Sequence, residues 1–195
     1  MRSQKETWKA FSDEIQAKYA KGGILKSDRI DARFQDWQIV YDTTAYQIGA
    51  VTAIYTRLRA PFTAKSEFQF SISAKSFLSK LAAKFGKTNI ETGDARIDDN
   101  FVIKSNCAEK VKRLLSSETL VNLLLEKVDT DFEISHGYKS TGREFPKNCD
   151  GLSLVVLNAN GERGMLMLYY NLFGEILTSL AEAGEIDAAP ADVKL

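Results

Sequence analysis

From Met165 to Ala183 large apolar side chains recur at helical spacing. Leu168, Leu172, Ile176 and Leu180 fall on one face, and Tyr169, Phe173 and Leu177 lie beside them. The first half of this run, "MLMLYYNLF", is apolar almost all round. A helix of that kind cannot lie on a surface with one edge dry; it has to be covered on most sides, so the rest of the chain must fold around it. The spacing predicts a helix from about Met165 to Ala183, deep in the core and ended by Gly184, a residue that readily takes the left-handed conformation at helix ends. The densest apolar stretch spans about nine residues before Gly174 and Glu175, where a bilayer span needs roughly twenty, so membrane insertion is not expected.

Strand patterns supply the cover. Trp37, Ile39 and Tyr41 alternate with Gln38, Val40 and Asp42, as in a strand with one buried face. In "IGAVTAIYTRLRAPF" the β-branched Val51, Thr52, Ile54 and Thr56 predict a second strand, ended by Pro61 for want of an amide donor. "EFQFSIS" places Phe68, Phe70 and Ile72 on one side of a third. The links are too short for crossover helices, so these three are expected as an antiparallel meander. Phe132 and Ile134 begin another strand, and "GLSLVVLNA" is apolar enough for burial on both faces. Between these, "HGYKSTGREFPKNCDG", residues 136–151, has the composition of an exposed loop, and Asn160-Gly161 marks a turn.

Further helices are expected in three places. Trp8, Phe11, Ile15 and Tyr19 predict one from about Lys5 to Lys21, with Gly22-Gly23 as its stop. Ser73 as N-cap opens one carrying Phe77, Leu78, Leu81, Ala82 and Phe85. Asn106 as N-cap, with Glu109 three residues on, opens one carrying Val111, Leu114 and Leu115. Whether residues 107–128 form one bent helix, or two with Ser117 between them, the sequence leaves open. The sum is an α+β domain over residues 1–186: a mostly antiparallel sheet with helices packed on one face, an N-terminal helix, a long buried C-terminal helix and a frayed tail at 187–195.

Composition narrows the function classes. With 195 residues, 44% of them apolar and 27% charged, the chain can bury a core without staples. Its 26 basic residues balance 26 acidic ones, so no long-range field draws in a polyanion, and nucleic acid is not an expected partner. Cys107 and Cys149 are too distant for a CxxC pair and too few for a disulfide framework. A reducing compartment fits, and with no apolar leader in "MRSQKETWKAF" a cytoplasmic, bacterial-style protein is expected. Pairing of the two cysteines stays open.

The most acidic stretch, "IETGDARIDDNFVIKSN", raises a metal loop as a candidate. A calcium loop starting at Asp94 needs oxygen ligands at its third and twelfth positions and glycine at its sixth; those places hold Arg96, Ser105 and Asp99. Turn chemistry explains the stretch better, with Gly93 at positive φ and Asp98, Asp99 and Asn100 bonding their own backbone. Phe101 and Ile103 then share one face of a strand. Thr92, Gly93, Asp94, Asp98 and Phe101, followed by an apolar strand and a capped helix, resemble a pattern of bacterial families of unknown function, with Ile97 where those families usually carry an aromatic. The resemblance spans roughly residues 90–125 and implies a recurring fold element without an established activity.

Other constellations are sparse. His136, the single histidine, sits in loop-like "SHGYKS", which excludes multi-imidazole zinc sites. No phosphate loop or nucleophile elbow occurs, so neither cofactor nor metal is expected and no residue is assigned catalysis. Tyr55, Arg57 and Arg59 are the candidate anion-binding set. Alternation along a strand puts them on one face, where two guanidiniums grip a carboxylate or phosphate, or else pair with acidic neighbours. The function these features point to first is a non-catalytic module that binds a protein partner or self-associates. A carrier of an apolar or amphipathic small molecule is the alternative, and an enzyme using Asp94, Asp98, Asp99 or His136 comes third.

Overall fold

The computed structural model describes residues 4–23, 27–48, 51–75, 89–126, 132–136, 149–157 and 162–191. They form an α+β fold around one antiparallel sheet. Its strands are β1 (Lys18–Ala20), β2 (Arg29–Phe34), β3 (Trp37–Ile48), β4 (Val51–Ala64), β5 (Phe70–Ala74), β6 (Phe101–Ser105), β7 (Phe132–His136), β8 (Cys149–Leu157) and β9 (Ile186–Pro190). The order across the sheet is β1-β2-β3-β4-β8-β7-β5-β6, and β9 pairs with β4. The described helices are α1 (Gln4–Glu14), α2 (Ala95–Asp98), α3 (Ala108–Leu114), α4 (Glu118–Leu125) and α5 (Arg163–Glu182). None of them is long and apolar enough to cross a membrane.

The apolar run from Met165 lies in α5, and Gly184 ends the helix at φ +74°. Leu166, Tyr169, Leu172, Phe173, Ile176, Leu177 and Leu180 are all buried along it. The helix is docked by hydrogen bonds as well as by burial. Tyr41 donates its hydroxyl to the Leu166 carbonyl at 3.3 Å, and Tyr170 donates to the Arg33 carbonyl at 2.5 Å. Burial, and secondarily the charge of Tyr170, hold the Tyr41 hydroxyl well above its ordinary pKa, so it stays a donor. Gly174 sits where the helix meets the sheet: a Cβ there would lie 2.3 Å from the Phe34 ring. On one flank α1 adds Trp8 and Phe11, the latter edge-on to Tyr41 at 5.3 Å, and α4 contributes Leu120, Val121 and Leu124.

Several expectations are corrected. Of the three strands expected as a meander, β3 and β4 are antiparallel neighbours, but β5 is not the next strand, because β8 and β7 lie between β4 and β5. The reason is in β8, buried from Gly151 to Val156: a strand apolar on both faces belongs at the centre of a sheet. Pro61 does not end β4, which continues to Ala64. β3 pairs with β4 only as far as Arg59 and the pairing of β4 with β9 begins at Phe62, so the missing donor falls at the changeover between partners. Residues 187–190, expected to fray, belong to β9, which takes the edge that β3 vacates; Ile186 is buried and Trp37 Nε1 donates to the Asp187 carbonyl at 3.2 Å.

The first helix stops at Glu14, not Lys21. Gln16 turns left-handed at φ 54°, while the amides of Gln16 and Ala17 return to the carbonyls of Asp13 and Ser12. Tyr19 is thereby released into β1. Asn106 is not an N-cap: its amide group bridges back to the Gln69 amide and the Glu67 carbonyl, and Cys107 takes the cap position without a side-chain bond. Ser117 does cap α4, accepting from Leu120 N at 3.3 Å, so the stretch is two helices. Ser73 lies within β5 opposite Val102, not at a cap. The helix expected over 77–85 and the turn at 160–161 lie outside the described residues, as do residues 137–148 of the expected loop, whose ends belong instead to β7 (His136) and β8 (from Cys149). Cys107 and Cys149 are both free thiols.

Candidate functional site

Ladder registers sort the sheet into two faces. Ile30, Tyr41, Leu58 and Leu154 share the face that α5 covers. The opposite face carries Val40, Asp42, Tyr55, Arg57, Arg59, Ser153 and Val155. Alternation put Val40 and Asp42 on the side of their strand away from its buried face. Instead Val40 and Tyr55 are fully buried, Ser153 is 2% exposed, and Asp42 and Arg59 are 8% and 9% exposed. Polar side chains on this face are therefore held away from water, where each must find a partner or cost free energy.

Tyr55, Arg57 and Arg59 do project from one face, and Asp42 joins them. Asp42 stands directly across the ladder from Arg57, with Arg59 diagonal to it. Its Oδ1 accepts from Arg57 Nε at 2.8 Å, and its Oδ2 accepts from Arg57 Nη2 at 2.9 Å and from Arg59 Nη2 at 2.5 Å. Two guanidiniums thus converge on one carboxylate, the first in the bidentate fork that arginine's planar geometry favours. The Nε–H of Arg59 is buried and has no hydrogen-bond acceptor among the described residues. Asp42 is the member that the sequence reading missed. A signal was present: with Ile48 opposite Val51, each step back along one strand is a step forward along the other, which brings residue 42 opposite 57.

The acidic stretch is turn chemistry, and its carboxylates do not converge. Asp98 points back to accept from the amides of Thr92 and Gly93 and from Thr92 Oγ1, each at 2.9 Å. Desolvation, the largest influence on Asp98, pushes its pKa up, but those three hydrogen bonds together outweigh it and leave the carboxyl below its ordinary value. Asp94 points outward. It caps α2 through Arg96 N and, with Glu118, holds the Arg96 guanidinium, whose hydrogen bonds lower the pKa of both acids. Gly93 is at φ +89°, as the turn requires, and Ile97 is buried. His136 belongs to β7, opposite Leu152, and not to a loop. Among the described residues no three His, Cys, Asp or Glu side chains gather as a metal site.

One further polar cluster escaped the sequence reading. Glu185, buried behind α5, accepts from Ser66 Oγ and from Lys110 Nζ at 2.8 Å, and Lys110 also lies 3.3 Å from Ser66 Oγ. A serine beside a lysine resembles a nucleophile with its base, but Lys110 is 38% exposed and its Nζ is engaged by the Glu185 carboxylate. The cluster instead ties the end of β4 to α3 and to the turn after α5. A depression of about 220 Å³ lined by Arg113, Ser116, Ser117, Ser179 and Glu182 is smaller than the roughly 300–1,000 Å³ that drug-sized ligands occupy.

No family model matches the chain, and no curated protein matches it in sequence. In fold it is similar to the crystal structure of the mycobacterial trehalose monomycolate transport factor A, TtfA, with a TM-score of 0.55 and 9% identity over 100% of both chains, a likeness of architecture.

Proposed function

We propose that the chain is a non-catalytic binding module and that the sheet face bearing Arg57 and Arg59 receives an anionic group of its ligand. The observation that carries this reading is the convergence of two guanidiniums on Asp42 with the Arg59 Nε–H left over, in surroundings where an unmade hydrogen bond costs about 1–3 kcal/mol. A carboxylate or phosphate supplies the missing acceptor. Because that donor is sealed from solvent, binding has to open the face locally, and association is expected to be slow for its affinity.

A carrier of an amphipathic molecule is the second reading, favoured by the likeness in fold to a protein named as a transport factor. One thermal-shift series separates the readings: decanoate, decyl phosphate, decanol and inorganic phosphate, each titrated against the wild type and Arg59→Met. A ligand that binds only the native state raises the midpoint with its concentration. The carrier reading expects a rise with decanoate and decyl phosphate above that with decanol. The simpler anion module expects inorganic phosphate to suffice. In both cases Arg59→Met removes the anion-dependent part, while Asp42 keeps its fork to Arg57. An undiminished shift in that variant, or no shift with any probe, rejects the arginine face as the site.

A further inference from the structure

We infer that the outer part of the β3–β4 hairpin is a self-association surface, through which a second copy of this chain adds its β3 edge to edge. This inference does not depend on the arginine face. β2 accompanies β3 only to Tyr41, and β8 accompanies β4 only from Tyr55 onward. Between these points, from Thr43 to Ile48 and from Val51 to Ile54, each strand has only the other as a ladder neighbour among the described residues. The ribbon reaches about 20 Å beyond the sheet at roughly 3.4 Å per residue. A two-stranded ribbon is marginal by itself, because each outer edge leaves a row of backbone donors and acceptors without ladder partners.

Its chemistry says what completes it. Residues 43–54, "TTAYQIGAVTAI", contain no Asp, Glu, Lys or Arg, although 27% of the chain is charged. The devices that protect edges from pairing, a lysine, a proline or an inward charge, are all missing from this stretch. Ile54, 53% exposed, is the exposed large hydrophobic side chain of the described residues, and it stands across from exposed Ala45. An uncharged edge meets its own copy without placing like charges opposite one another, and two antiparallel β3 edges close a two-fold dimer. A bilayer suits the ribbon less well, since its open edges would enter hydrocarbon with their polar groups unsatisfied.

The test is sedimentation velocity of the full chain from about 1 to about 100 µM, a range that spans micromolar dimer affinities. The wild type is expected to dimerise. Ala45→Lys with Gln47→Lys puts four lysines on the joined edge and is expected to weaken the dimer at least tenfold. Thr52→Lys, one strand away and about a Debye length from the joint, is expected to leave it intact. Hydrogen exchange on the wild type gives a readout that does not depend on how the variants fold: protection of amides 43–48 should rise with protein concentration. A monomer throughout that range, a dimer indifferent to the double substitution, exchange that does not change with concentration, or a monomer that floats with phospholipid vesicles would each overturn the inference.

Discussion

Asp98 shows how much one side chain decides locally. Its three acceptor bonds fold residues 92–98 into a loop that hands Ile97 to the core, so one of the acids that the enzyme reading named is occupied by two backbone amides and a hydroxyl. Asp98→Ala should destabilise the protein by about 1–3 kcal/mol, the cost of leaving such donors unmet. The pH dependence follows from the lowered pKa. A carboxyl depressed in the folded state stabilises it fully above the unfolded value, near 3.8, and loses that contribution as pH falls through the lower folded value. Urea denaturation of wild type and variant should therefore show a gap that is constant near neutrality and narrows under acid. A gap that stays constant into strong acid would mean that the carboxylate's charge is irrelevant.

At the scale of elements, α5 against the sheet is the defining contact, and Gly174 sets its distance. Glycine inside a helix costs roughly 1 kcal/mol relative to alanine, so its presence mid-helix signals close approach. The Phe34 ring occupies the place a Cβ would take. Gly174→Ala gains helix propensity yet should lower stability by about 1–3 kcal/mol through overpacking, readable as a fall in melting temperature. Gly174→Ala combined with Phe34→Leu should recover part of the loss. Were the single variant more stable than wild type, the packing described at this crossing would be wrong.

For the whole molecule, the unexpected feature is a second buried layer that is polar. Asp42, Arg57 and Arg59 join β3 to β4 on the side away from α5, so the long hairpin is held by apolar packing on one face and by charge on the other. The two kinds of truncation should differ. Asp42→Ala removes the carboxylate that both guanidiniums share and should cost about 3–5 kcal/mol, as expected when a buried charge loses its counter-ion. Arg59→Met leaves the Asp42–Arg57 fork in place and should cost clearly less. Chemical denaturation of both variants checks the order, and equal losses would show that Asp42 relies on Arg59 more than the geometry indicates.

Much of this was legible in the chain. Where a pattern is carried by burial alone, as in α5, β8 and the Phe101–Ile103 strand, side-chain spacing decided the element, because period and polarity are local properties. Gly93 and Gly184 were legible for the same reason, since positive φ is a cost that each residue meets by itself. Element boundaries failed where another segment competed for the same backbone. Gln16 ended α1 so that residues 18–20 could pair with β2, Asn106 bonded residues 67 and 69 instead of its own helix, and the tail became β9 because β4 had an edge to fill. The candidate site divided along the same line. Sequence placed Tyr55, Arg57 and Arg59 on one face by alternation, but only the folded sheet brought Asp42 to them and took that face out of water, because which charges meet across a ladder depends on register and not on neighbours in the chain.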